Sequence, residues 1–242
     1  TTAPNRDNAC TSKGSSIRKG SRTRAADSGL KSMLRSSIQS FRRFLLDRMV
    51  LRPSRHPIEF EPQQRVMLSA RSGQALECFV HRNYRAGQLP ELLVLKFPGT
   101  AGRAVRSSPF PTSMLGDVRV AIWTWNPPGY GRSSGRASLP RIADAAEDFW
   151  DQATARECGD RTSVWLCGNS LGCASARHVA ASVRPEPKRS GMILRNPPPL
   201  LPVVKRIARE YPLGRRMDRV IDTLCDSMNA MLTAPRVQIP AV

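Results

Sequence analysis

A chain of 242 residues can bury one sizeable core, so one domain is the default count, and an apolar fraction of 40 % fits a globular protein. No run approaches the roughly 18 apolar residues of a membrane span, and the basic N-terminus lacks the apolar stretch of a secretory signal. The formal charge of +19 invites a nucleic-acid reading, but residues 1–55 alone carry thirteen Lys/Arg against Asp7, Asp27 and Asp47, and no aromatic-flanked basic motif of a nucleic-acid reader is present.

Residues 1–28 are Ser, Thr, Arg, Asn and Gly with little apolar content, and we expect them to form a disordered basic tail. Residues 29–57 read as an amphipathic helix and linker. Leu34, Ile38, Phe41 and Leu45 recur at helical spacing with Arg35, Arg42, Arg43 and Arg48 between them, and Pro53 and Pro57 end the pattern. Two readings follow. A helix packed on the flank of the domain is the default; a weak membrane-surface contact through residues 30–50 is the alternative.

From residue 58 to 242 the pattern is that of a folded α/β domain. Arg65–Ser69 and Ala75–His81 flank Arg71-Ser72-Gly73 and read as a hairpin. Four apolar runs then suit buried parallel strands: Leu92–Phe97, Val118–Trp125, Ser163–Cys167 and Met192–Leu194. Helical patterns at Pro140–Thr154 and Leu171–Val183 separate the later ones, and 203–232 reads as more helix. Strands alternating with helices predict a doubly wound, mostly parallel sheet with an N-terminal hairpin. Val237–Val242 has the look of a further strand.

The chemistry concentrates at Gly168-Asn169-Ser170-Leu171-Gly172. A strand that turns into a helix through one residue holds that residue in a strained backbone with its side chain clear of the sheet's C-terminal edge. Gly168 and Gly172 leave room for the neighbouring strand and helix. The pattern alone is a weak signal; its strand–turn–helix setting is the stronger one.

Three further segments carry a resemblance. Phe97-Pro98-Gly99-Thr100-Ala101-Gly102 follows the first parallel strand, Asn126-Pro127-Pro128-Gly129-Tyr130-Gly131-Arg132-Ser133-Ser134-Gly135 the second, and Arg195-Asn196-Pro197-Pro198-Pro199 the strand after the elbow. Together with the elbow they resemble the α/β-hydrolase superfamily, in its serine esterase and peptidase-like branch, over about residues 58–242. The resemblance implies a serine hydrolase of esters, thioesters or small amides, with Ser170 as nucleophile. The backbone N–H groups of Thr100 and Leu171 would form the oxyanion hole. Pro98 stands where many members have His. The segment 198–232 would form the lid, and its start at Pro197–Leu201 suits a modestly apolar acyl group.

The same resemblance places a triad acid and then a His after later strands. The chain opens on Thr1 and stops before either position, so we expect a fragment lacking the triad acid and His, or else a non-catalytic binding relative of the fold. His56, His81 and His178 read as loop, strand-end and helix-surface residues; Asp144, Glu147, Asp148 and Asp151 read as a solvated helix face; Asn196 occupies a place where some relatives carry the acid. The cysteines at 10, 78, 158, 167, 173 and 225 form no CxxC pair, and with no nucleotide loop in the sequence we expect no metal, no cofactor and a reducing, cytoplasmic compartment. The expected partner is a small acyl substrate. No specific nucleic acid is expected, beyond weak adsorption to polyanions.

Overall fold

The computed structural model describes residues 20–58, 64–210 and 217–242, with side chains from residue 32 onward apart from Ser113. The chain divides into two units, residues 1–40 and 41–242. The first helix, α1 (Gly20–Val50), begins in one and ends in the other.

Helix α1 starts earlier than expected. Residues 20–28 were expected to belong to the disordered tail, yet they are helical. Arg22, Arg24, Ala25 and Ala26 are good helix formers, and extending an existing helix costs little compared with nucleating one. The expectation for residues 1–19 lies outside the described residues. Leu46 and Met49 are buried and Leu45 is half-buried, whereas Leu34, Ile38 and Phe41 are exposed.

The second unit is built on a six-stranded sheet ordered β1-β2-β4-β3-β5-β6. The strands are β1 (Gln64–Ser69), β2 (Ala75–Arg82), β3 (Leu92–Phe97), β4 (Val120–Trp125), β5 (Ser163–Asn169) and β6 (Ser190–Arg195). β1 and β2 form the expected antiparallel hairpin, closed by Ala70 N–H to Gln74 O at 2.8 Å, and β2 runs antiparallel to β4. β4, β3, β5 and β6 are mutually parallel. Beyond β6 the predicted further strand is seen at its tip. Ala241 bridges Met192 in parallel, with Met192 N–H to Pro240 O at 2.8 Å and Leu194 N–H to Val242 O at 2.8 Å.

Helices α2 (Leu139–Glu157) and α3 (Gly172–Val183) bury their apolar residues on one face of this sheet. Leu93, Leu95 and Phe97 alternate toward them along β3, while Leu92 and Val94 join Val120 and Ile122 in a smaller cluster on the other face. Phe97, Trp125 and Phe149 form the aromatic centre, with centroids 5.4 to 6.2 Å apart. The region expected to be helical after β6 contains α4 (Leu200–Arg209) and two single turns, α5 (Asp218–Ile221) and α6 (Ala230–Thr233). The expected lid, 198–232, covers these elements, and its residues 211–216 lie outside the described ones.

Buried polar groups tie the elements together. Glu157, at the end of α2, accepts from Arg82 of β2, from Trp123 Nε1 of β4 at 2.9 Å and from Tyr84 Oη at 2.8 Å. Burial pushes its pKa up, but the bonds from Arg82, Tyr84 and Trp123 and the charge of Arg82 outweigh this and hold it below the ordinary 4.5. Of the carboxylates expected on a solvated face of α2, Asp148 is buried. It accepts the Arg71 backbone N–H at 3.1 Å and pairs with the Arg71 side chain, which also reaches Glu147. The hairpin turn folds over that stretch of α2, which a helical wheel does not reveal.

A carboxylate whose folded pKa is depressed stabilises the fold fully above its ordinary pKa, and the contribution fades as pH falls through the lower folded value. Glu157→Gln should therefore lower stability at pH 7 by roughly 1.5–3 kcal/mol, the range for hydrogen bonds to charged groups. Thermal melts of both proteins from neutral to acid pH should show the gap closing below about pH 4. A gap of constant size would show that the charge of Glu157 contributes nothing.

Candidate active site

Ser170 sits between β5 and α3 at the C-terminal edge of the parallel strands. Its φ is +51°, in the left-handed region that a residue with a Cβ rarely adopts. The surroundings hold it there. Its N–H donates to Arg195 O at 2.9 Å, and its carbonyl accepts from Cys173 N–H at 2.9 Å. Among the described residues nothing hydrogen-bonds its hydroxyl, which is left free at the edge of the sheet.

The two elbow glycines are explained by contact distances. A Cβ on Gly168 would stand 2.6 Å from Cys173 Cα, and one on Gly172 would stand 2.7 Å from Pro98 O and closer still to Phe97 O. The start of α3 thus lies directly against the end of β3 and the turn after it. That turn also touches the elbow, since a Cβ on Gly99 would come within 3.2 Å of both Ser170 Cβ and Asn169 O.

Thr100 follows in this turn, closed by Gly102 N–H to Gly99 O at 2.9 Å. Leu171 is buried, with helical backbone angles of −54° and −32°. Neither the Thr100 nor the Leu171 N–H donates to a protein acceptor among the described residues. Two unspent amides therefore lie on the segments that adjoin Ser170. The N-terminus of the twelve-residue helix α3 adds a partial positive charge there.

The groups that fix Thr100 were missed by sequence reasoning. Its Oγ1 donates to Val50 O, the last residue of α1, and its carbonyl accepts from Tyr130 Oη at 2.8 Å. Tyr130 Oη in turn accepts the Arg52 N–H at 3.3 Å. Behind Tyr130 a buried network anchors the turn after β4. Asn126 Oδ1 accepts Ala104 N–H at 2.9 Å, its Nδ2 donates to Glu77 at 2.7 Å, and Glu77 also accepts Arg132 N–H at 2.8 Å. Asn126 and Tyr130 belong to the turn motif at 126–135, and that motif is the signal the sequence offers for them. Nothing in the sequence pointed to the end of α1.

The titratable candidates do not gather at Ser170. His178 Nε2 lies 2.9 Å from Glu147 Oε1, between α3 and α2, and burial lowers its pKa against the pull of Glu147 and Asp144. His81 lies on β2 opposite Ile122 of β4, and His56 is exposed in the segment after α1. Asn196 is exposed, with φ +52°. No group of three or more His, Cys, Asp or Glu among the described residues is placed to hold a metal ion.

A cavity of about 600 Å³ opens beside the elbow, bounded by Gly99, Gly168, Asn169, Lys96, Cys167 and Arg195. Lys96 donates from Nζ to Ser108 O at 2.7 Å, and its burial lowers its pKa. Two hollows of about 650 Å³ elsewhere, one beside Phe44 and Arg136 and one beside Arg71 and Asp148, have no elbow residue in their walls.

No protein-family model matches the sequence. Solved structures do match. An α/β hydrolase from Vibrio vulnificus superposes with a TM-score of 0.62 at 16 % identity, over 82 % of this chain and 74 % of that one. An esterase from Pyrococcus furiosus gives 0.56 at 11 % identity, over 79 % and 75 %. A serine hydrolase without a lid from Xanthomonas campestris gives 0.42 at 14 % identity, over 60 % of this chain; the match spans 65 % of that protein's length. The chain has the α/β-hydrolase fold. No helix among the described residues is long and apolar enough to cross a membrane.

The elbow contacts make a steric prediction. Gly172→Ala should destabilise by roughly 3 kcal/mol or more, because backbone rather than a flexible side chain blocks the added methyl. Gly73→Ala, in the hairpin turn, meets nothing within 4 Å and carries only the strain of φ +76°, so its cost should be about 1 kcal/mol. Urea melts of the two variants measure the difference; equal losses would contradict the close approach of α3.

Proposed function

We propose that the chain is a serine hydrolase of the acyl-transfer type, with Ser170 as nucleophile toward an ester, thioester or small amide. The observation that carries this reading is the backbone of Ser170: a strained φ, held by two main-chain hydrogen bonds, on a residue whose hydroxyl has no partner among the described residues and whose adjoining segments carry the unspent N–H groups of Thr100 and Leu171. Strain of this kind persists only where the surroundings over-determine it, and it clusters at reacting residues. Attack of Ser170 Oγ on a carbonyl carbon would place the developing oxyanion between the two amides. The resemblance of the turns at 97–102 and 126–135, and the esterase among the structures of like fold, point the same way.

A second reading has its own support. A serine hydroxyl needs a base, and none of His56, His81 and His178 is disposed to serve Ser170. A non-catalytic relative that uses the same cavity to bind a small acyl compound would have that arrangement.

One experiment separates the readings. The chain is incubated with an activated phosphonate ester, and the adduct is located by peptide mapping. The hydrolase reading expects a slow adduct on Ser170, absent in Ser170→Ala. Thr100→Pro removes one oxyanion N–H and should slow the labelling by about 10²-fold or more. Labelling no faster than that of other serines, and indifferent to Thr100→Pro, would leave the binding reading. Turnover of a short-chain activated ester should be weak in the same preparation. Without a base, only the residual acceleration of about 10³–10⁴ from binding and the oxyanion hole is expected.

A further inference from the structure

We propose that α1 carries a landing surface for an anionic lipid bilayer, centred on Met33, Leu34 and Ile38. These three are 72 %, 54 % and 48 % exposed, and Phe41, the next apolar residue of the helix, is 59 % exposed. Scattered exposed apolar residues need no explanation, but a contiguous row of large ones does. At about 100° per residue the four side chains fall within one sector of roughly 140°. Half-buried Leu45 falls in the same sector and buried Met49 just beside it, so the exposed row and the packed residues of the last turns belong to one apolar face of the helix.

The polar positions decide what could cover this row. Arg35 and Arg42 border it on one side, Ser36 and Ser40 on the other, with Arg43 behind them. Over its whole length α1 holds seven Lys/Arg against Asp27 and Asp47. Asp47 is not available to offset them at the surface, because it is buried and accepts the Leu139 N–H at 2.9 Å. An apolar sector flanked by arginines, with no acid among the described surface side chains of the helix, complements an interface that is hydrocarbon below and anionic above. A second copy of the chain would bring the same positive charges face to face. A nucleic acid would match the charge and leave Met33, Leu34 and Ile38 in water. The helix would lie in the plane of the membrane, since it is too polar to span it.

The test uses the full chain and flotation with two kinds of vesicle, phosphatidylcholine alone and phosphatidylcholine with about one quarter phosphatidylglycerol. Flotation with the anionic vesicles only is expected, together with at least a tenfold loss of partitioning in the double variant Leu34→Glu/Ile38→Glu. Circular dichroism of that variant should be unchanged, because both positions are exposed. Three results would overturn the proposal. The first is vesicle binding that survives the double variant yet disappears in high salt, which is mere adsorption of a basic chain. The second is duplex DNA binding that depends on Leu34 and Ile38 without any vesicle binding. The third is a dimer in sedimentation that the double variant dissociates, again without vesicle binding.

Discussion

The start of α3 lies so close to the end of β3 that no side chain fits between them. Gly172 makes this possible, because any Cβ there would penetrate the carbonyls of Phe97 and Pro98. Gly168 does the same service between β5 and the first turn of α3. With both contacts closed, the two residues between strand and helix must turn the chain sharply, and Ser170 takes a φ of +51° to do it. A left-handed residue with a Cβ costs roughly 1–2 kcal/mol. The hydrogen bonds at Arg195 O and Cys173 N–H and the packing of α3 on the sheet offset that cost.

The same contact sets the second half of the site. Because Gly99 packs on Ser170 and Asn169, the turn that follows β3 cannot move independently of the elbow. Thr100 is then pinned from outside by the carbonyl of Val50 and the hydroxyl of Tyr130. A buried polar atom without a partner costs about 1–3 kcal/mol, so the network around Asn126 and Glu77 favours one geometry of the neighbouring turn over others. The end of α1 is thereby part of the support of the candidate site, while its earlier residues present an apolar row to solvent.

The charges follow a different logic. Three buried carboxylates in the second unit are paired, Asp148 with Arg71, Glu157 with Arg82 and Glu77 with Arg65, while a fourth, Asp47, accepts the Leu139 N–H. These arginines hold β1, β2 and α2 together and are spoken for. Among the described residues that line the cavity, Lys96, Arg103, Arg106 and Arg195 are joined by no carboxylate, which gives that wall a positive cast.

The sequence by itself determined the elements whose cause is local. Apolar runs and helical spacing located the sheet strands, α2 and α3, because the period of burial is written into neighbouring residues. The tight turn from β5 to α3 was legible for the same reason: Gly168, Ser170 and Gly172 lie within five residues and answer to one steric problem. Only the tertiary structure decided which distant groups meet. That Thr100 leans on Val50 and Tyr130, that His178 is engaged by Glu147, and that Asp148 is capped by the hairpin turn all depend on pairings across tens of residues. A helical wheel states that a face is apolar; what covers that face is settled by long-range packing, which leaves no local pattern in the chain.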